Sequence, residues 1–256
     1  MKTRNIPYLI LATMLTAACS CDPVDLAQTA GEGNFSLRVN AEKVVVGEET
    51  RATVEVDVNE FLIHLVNANG DKLIDGKKKS SLNAADYNVQ SGTGYTISAE
   101  SCRPDETVTA NEGWGAPYFK GETSFDVTAG TTIPVSISCT LQNAGITVEP
   151  TTSFTDKFPI YAITTTNDAR SLVWDNSHTG AIAYYDMTAE TATLELKVTG
   201  SKGGWEDRLN KTFPIDLQKG KVCKVTLQYD DNSGNIDIGF ETDKDTTTED
   251  SSTTVE

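Results

Sequence analysis

Residues 127–139 read Val127-Thr-Ala-Gly130-Thr-Thr-Ile133-Pro-Val135-Ser-Ile137-Ser-Cys139, and residues 217–229 read Leu217-Gln-Lys-Gly220-Lys-Val-Cys223-Lys-Val225-Thr-Leu227-Gln-Tyr229. The stretches match position for position, and the match extends upstream, where Phe125 answers to Ile215. In each, apolar and polar residues alternate on both sides of one glycine. A period of two belongs to a strand with one buried face, and a glycine between two such runs marks a tight turn. Each copy therefore reads as a strand, a turn and a longer strand that closes a β-sandwich. Two readings of the pair stay open. If the copies repeat a unit, they end two tandem domains, residues 33–142 and 143–240, with the boundary near Gln142 to Ala144. Otherwise they are unrelated hairpins, which resemble one another anyway.

The same period runs outward from these stretches. Phe35, Leu37 and Val39 alternate with polar residues, Val54, Val56 and Val58 alternate with Glu55 and Asp57, and Tyr95, Ile97 and Ala99 continue the pattern. Each predicts a half-buried strand. From Phe61 to Val66 both faces are apolar, which predicts a central strand, and Asn69-Gly70 is a hairpin turn before Lys72-Leu73-Ile74. No segment sustains a 3.6-residue period over helical length. The expected class is all-β, with sandwich domains of seven or eight strands.

The two ends read differently. Lys2 and Arg4 precede an apolar run of about 12 residues, short of the roughly 20 that span a bilayer, and Leu15-Thr16-Ala17-Ala18-Cys19 follows. Small residues just before a cysteine resemble a bacterial lipobox, although its usual leucine three residues before the cysteine is Thr16 here. The expectation is a signal peptide over 1–18, removed when Cys19 is lipidated, with Cys21 as the alternative, and a linker over 19–32. More than one acyl chain then anchors the protein stably. At the other end, Glu241 to Glu256 holds six acidic residues and one apolar residue, Val255. Such a segment buries too little to order itself, so 241–256 is expected to be a disordered acidic Thr/Ser tail. Asp245-Thr246-Thr247 resembles a short O-glycosylation acceptor.

Composition narrows the function. The 256 residues carry a formal charge of −16, which opposes a nucleic-acid partner because phosphate recognition needs a basic footprint. Cys102, Cys139 and Cys223 are odd in number and not at metal-ligand spacing, so neither a disulfide framework nor a zinc site is expected. Cys139 and Cys223 lie on alternating strands and read as small core hydrophobes. The only histidines are His64, expected to be a satisfied core residue, and His178, expected in an exposed turn. They assemble no catalytic triad and no metal site, and no enzymatic activity, metal or cofactor is expected. Asp230-Asp231-Asn232-Ser233-Gly234-Asn235 has oxygen ligands but reads as a hairpin loop rather than a calcium loop.

Several motifs together carry a family likeness. The Cys-anchored start, Gly33-Asn34-Phe-Ser-Leu-Arg-Val-Asn40, Thr50-Arg51-Ala52, Asp57-Val-Asn59-Glu-Phe61, Asn69-Gly70 and Ala116-Pro-Tyr118-Phe-Lys-Gly121 resemble a Bacteroidota lipoprotein domain family of unknown function. That family is similar to fimbrillin and fimbrial-anchor proteins, and the resemblance spans Gly33 to Phe240. It implies two transthyretin-like (Ig-like) sandwiches, no enzymatic activity and a role in adhesion at the outer membrane. It also raises Arg51 as a protease-processing site, since fimbrillin-like pilins are cut after an arginine to open a groove for a neighbour's strand. The alternative is an ordinary loop arginine. Residues 241–256 offer too few apolar side chains to be such a donor strand, so an anchor, tip or standalone adhesin fits better than a shaft subunit.

The remaining candidate is Glu112-Gly113-Trp114-Gly115-Ala116-Pro117-Tyr118-Phe119. Aromatics in a Gly- and Pro-rich loop can present a flat platform, so Trp114, Tyr118 and Phe119 form a candidate ligand platform for a sugar or a protein. The competing reading has Tyr118 and Phe119 starting a strand. Tyr184, Tyr185 and Trp205 are weaker candidates of the same kind. The expected partners are the membrane, through the lipid, and fimbrial subunits, a host protein or a glycan. The rival function is a carbohydrate-binding surface lipoprotein that captures polysaccharide.

Overall fold

The computed structural model describes residues 31–46, 52–167, 170–201 and 208–242. Cys19, Cys21, Arg51, Trp205 and the segment 243–256 lie outside the described residues. The N-terminal half contains β1 (Glu32–Ala41), β2 (Val45–Val46), β3 (Ala52–Thr53), β4 (Leu62–Val66), β5 (Lys72–Lys78), β6 (Asn88–Gln90), β7 (Gly92–Glu100), β8 (Phe119–Val127) and β9 (Thr132–Leu141). The C-terminal half contains β10 (Ala144–Pro150), α1 (Thr152–Lys157), β11 (Ile160–Thr166), β12 (Ser171–Trp174), β13 (Ile182–Tyr185), β14 (Thr191–Ser201), β15 (Arg208–Gln218), β16 (Val222–Asp230) and β17 (Asn235–Thr242). The chain is an all-β sandwich protein.

Sheet order runs β5-β4-β7-β8-β9-β1-β6 in the first half. Strands β8 and β9 pair only through Phe119–Leu141 and Lys120–Thr140, so one ladder bends there into two layers. The second half has the corresponding layers as separate sheets, β12-β11-β14-β15 and β13-β10-β16-β17. Among the described residues, every ladder joins strands of the same half.

The matched sequence stretches make the same object twice. Gly130 (φ 71°) and Gly220 (φ 77°) both adopt the left-handed backbone that glycine tolerates best. The Gly130 N–H donates to Glu32 O at 2.9 Å, and the Gly220 N–H donates to Asn143 O at 3.0 Å. Beyond each turn the longer strand runs parallel to the first strand of its half, with Asn34 opposite Thr132 and Gly145 opposite Val222. The copies differ at one strand edge. In β16, Lys224 pairs with Glu241 of β17. The corresponding residue of β9 is Pro134, which has no N–H to offer a strand on that side.

The interior holds two apolar clusters, one around Phe35, Phe61, Ile97 and Ile137, the other around Phe154, Ile163, Trp174 and Leu196. Each fully buried side chain of this size contributes about 1.5–3 kcal/mol. The clusters interlock. Tyr184 and Val222 of the second half lie in the first cluster, and Trp114 of the first half packs on the second.

Two local expectations are corrected. Val54, Val56 and Val58 pack partly buried against the first cluster, but residues 54–58 form an irregular arm that ends in a turn and not a strand. Period-two burial reports that one side faces a core; a strand also needs a neighbouring backbone to pair with. The six-residue helix α1 was not anticipated, because its one turn and a half is too short to display a period; it buries Phe154, which packs on Phe158 with ring centroids 5.4 Å apart.

Candidate functional site at the junction of the two halves

Between β7 and β8 the chain makes a long excursion over residues 101–118 that leaves its own sheet and lands on the second half. Its backbone is costly. Asn111 (φ 52°) and Glu112 (φ 57°) are consecutive non-glycine residues in the left-handed region, a conformation worth about 1 kcal/mol or more of strain each. Local bonds hold it: Gly113 N–H and Gly115 N–H both donate to Ala110 O, and Asn111 Nδ2 donates to Gly115 O at 2.7 Å. Gly115 (φ 83°) has no space for a side chain, since a Cβ there would sit 2.4 Å from Thr107 O and 3.1 Å from Tyr184 Cβ.

Trp114 turns this loop into a strut. Its carbonyl accepts the Tyr184 N–H at 2.8 Å. Its ring meets Trp174 edge-on with centroids 5.0 Å apart and stacks on His178 at 5.4 Å. Arg170 clamps the loop from below: Nη1 donates to Val108 O at 3.0 Å and to Gly113 O, and the guanidinium lies over the Tyr185 ring at 4.6 Å.

The expected platform of Trp114, Tyr118 and Phe119 is therefore not one surface. Phe119 is fully buried, the first residue of β8 and a member of the first core, because the alternation that starts there points it inward. Trp114 spends its ring on packing against Trp174 and His178. Trp114 and Tyr118 are both half-buried, and of the two Tyr118 borders a described cleft. Tyr184 and Tyr185, the weaker candidates, are buried as well.

Tyr118 is fixed from three sides. Its N–H donates to Asn143 Oδ1 at 3.1 Å and its carbonyl accepts Gln142 N–H at 2.7 Å. Its hydroxyl donates to Glu100 Oε2 at 2.8 Å. Burial, and then the Glu100 carboxylate, push the phenol well above its usual pKa, so it stays protonated and donating. Glu100 is 8% exposed and its other oxygen meets His64 Nε2 at 3.2 Å, with Lys120 Nζ 4.0 Å from Oε2. On the other side of the ring, His64 Nδ1 lies 3.1 Å from both the Gly76 N–H and Asp75 Oδ1, so both ring nitrogens have partners. His64 is thus satisfied as expected, but on the outer face of the sheet and not in the core, because Phe61, Ile63 and Leu65 take the inward positions of β4.

A cleft of about 290 Å³ opens beside Tyr118. Pro104 of the excursion, Tyr118, Gln142, Asp186, Met187 and Lys219 line it, so both halves contribute. The family profile that matches the chain covers residues 31–256 and describes a Domain of unknown function (DUF4493). The chain belongs to that family. This DUF4493 chain is similar in structure to a fimbrial assembly protein from Parabacteroides distasonis, with 11% identity, TM-score 0.47, and coverage of 83% of this chain and 95% of that one. It is also similar to the fimbrial anchor protein Mfa2 from Porphyromonas gingivalis, with 12% identity, TM-score 0.40, and coverage of 81% and 97%. No curated protein sequence matches it.

Other groups of the DUF4493 chain are committed to structure. Burial raises the thiols of Cys102 and Cys139 to about 11 and that of Cys223 to about 12, which leaves them protonated and unreactive near neutrality. Asp230 to Asn235 form the β16–β17 turn, with Asp230 Oδ1 accepting Asn232 N–H at 2.9 Å and Ser233 Oγ accepting Asn235 N–H at 3.2 Å. His178, 48% exposed, bonds to Asp175 at 3.0 Å in a turn, as expected. Among the described residues no helix is long and apolar enough to cross a membrane.

Sequence reasoning missed two parts of this site. Arg170 had no signal, since it belongs to no motif and acquires its role from a loop about sixty positions earlier in the chain. Asp186 and Lys219 were equally silent, although Lys219 lies inside the repeated stretch that drew attention for other reasons.

Proposed function

We propose that this protein is a non-enzymatic adhesion module of the cell envelope, a fimbria-associated anchor, tip or standalone adhesin built as two tandem sandwich domains, 33–142 and 143–240. The observation that carries the reading is the pairing of β17 with β16 from Cys223–Thr242 to Asp230–Asn235. That pairing engages the strand edge of β16 within the chain, so β17 is not offered to a neighbour as a donor strand. The buried joint between the halves suits a rigid surface module, since the excursion, Trp114 and Arg170 fasten one half to the other.

The same reading includes lipidation at Cys19, with Cys21 as the alternative, and attachment to the outer membrane with the protein facing the cell surface; Arg51 stays uncut in it, because cleavage there would part the lipidated end from the rest of the chain. Metabolic labelling with a radioactive fatty acid, compared between Cys19→Ala and Cys21→Ala, assigns the anchor. The function itself is tested by deleting the gene and scoring adherence and fimbrial attachment of the cells, then restoring the full chain. Unchanged adherence together with unchanged fimbriae overturns the reading.

A further inference from the structure

We infer that the cleft at the junction is a binding site for one neutral sugar ring, held against Tyr118 and Met187 and hydrogen-bonded by Asp186, Lys219 and Gln142. The inference rests on the adhesive reading above and names the chemistry of its ligand.

Three observations lead there. The wall is preorganised. Tyr118 is pinned through its N–H, its carbonyl and its hydroxyl, and Asn143 beneath it is 1% exposed with Oδ1 and Nδ2 both used, the latter donating to Ala116 O at 2.8 Å. A ligand arriving here does not have to order the site, which lowers the cost of binding.

The second observation concerns unspent charge. Among the described residues, neither Asp186 nor Lys219 shows a side-chain hydrogen bond or an ion pair within 4.0 Å, although both line the same cleft; the Asp186 carboxylate acts on the Arg170 guanidinium only at longer range. Both groups therefore keep their hydrogen-bonding capacity for a ligand in the cleft. An anion there would meet Asp186, and a cation would meet Lys219 and Lys120. A hydroxyl group both donates and accepts, so a neutral polyol satisfies the carboxylate and the ammonium together. Gln142 adds an acceptor, because its Nε2 is occupied by Thr140 and its Oε1 is not.

The third observation is size and lining. About 290 Å³ is at the lower end of the range for small-molecule sites, roughly 300–1,000 Å³, and admits one ring rather than an extended chain. Pro104, Met187 and the Tyr118 ring supply the apolar surface on which the C–H face of a sugar rests. Both halves are needed, as Tyr118 comes from the first and Asp186, Met187 and Lys219 from the second.

The test is saturation-transfer NMR and titration of the full chain with methyl glycosides of neutral hexoses and N-acetylhexosamines, and with methyl hexuronates for comparison, to on the order of 10 mM. The expected result is saturable binding of at least one neutral glycoside. It should weaken about tenfold or more in Asp186→Asn and in Lys219→Met, and stay unchanged in Leu73→Ala on the opposite edge of the first half. Asp186 is exposed, so its variant folds, and matching thermal unfolding checks this. Neutral-glycoside binding that both variants retain places the sugar elsewhere and overturns the inference. Binding confined to hexuronates overturns it too. Failure of every glycoside to bind while the full chain still supports adherence sinks the cleft and leaves the adhesive reading standing.

Discussion

The Tyr118 hydroxyl donates to the Glu100 carboxylate at 2.8 Å, and through that bond the start of the β8 strand is tied to a carboxylate that His64 holds from the other side. Tyr118→Phe leaves the rings and packing in place and removes one donor from a buried carboxylate. The expected loss is about 1–3 kcal/mol in urea unfolding. The double variant Tyr118→Phe with Glu100→Gln should be less than additive, because the two side chains are partners. Additive losses would mean that they do not act together.

Trp114 tests whether the loop is a strut or a platform. Trp114→Ala removes its contacts with Trp174 and His178, and the expected cost is about 2–4 kcal/mol, below that of a fully buried tryptophan. A platform residue would instead lose ligand binding with no change in melting temperature. Gly115→Ala should cost at least as much as a strained left-handed alanine, about 1–3 kcal/mol, since the new methyl also meets Thr107 O.

The repeated turns offer a paired measurement. Gly130→Ala places a methyl in open space at φ 71° and should cost about 1 kcal/mol from backbone strain alone. Gly220→Ala pays the same strain and also brings its Cβ to 3.2 Å from Leu141 O, at the seam between the halves. The Gly220 variant should therefore be the less stable of the two by denaturant midpoint.

Acid should weaken the fold in a definite direction. Asp86 is held below its ordinary pKa by the Asn83 N–H and then by Lys77, and Asp75, Asp175 and Asp230 are lowered by hydrogen bonds from Lys72, His178 and Ser233 first. A lowered carboxylate contributes stability that is present above its unfolded value, about 3.9, and is lost as pH falls through its folded value. Unfolding free energy should hold steady from pH 7 to about 5 and decline below about 4. The Asp86→Asn variant should show a shallower decline; an unaltered acid limb would remove Asp86 from the explanation.

Alkylation reports the buried thiols. At pH 8 the native protein should leave Cys139 and Cys223 unmodified by iodoacetamide, as both are buried and held protonated, and unfolding should expose them together. Cys102 should react slowly, because it is half-buried and its thiol also lies well above neutrality. Mapping by mass spectrometry decides each site.

Much of the fold was legible because strand burial writes itself into sequence at period two. The match of 127–139 with 217–229 reappears as two equivalent turns and two parallel ladders in the same register. The arm over Val54 to Val58 shows where that signal stops, since alternation records a buried side and says nothing of a pairing partner. The site was less legible. The aromatic segment drew attention correctly, yet its residues diverge: Phe119 goes into one core, Trp114 onto the other, and Tyr118 to the cleft.

Local chemistry alone determined the β class, the glycine turns and the acidic, histidine-poor composition. These depend on residue type and on neighbours within about ten positions, where period and turn preference act. Only the tertiary structure decided which aromatics are spent on packing, that Arg170 clamps a loop from the other half, and that Asp186 and Lys219 share a cleft with Tyr118. Those relationships join residues some 30 to 100 positions apart, and they exist because two cores interlock at one junction, a condition that no local pattern of side chains encodes.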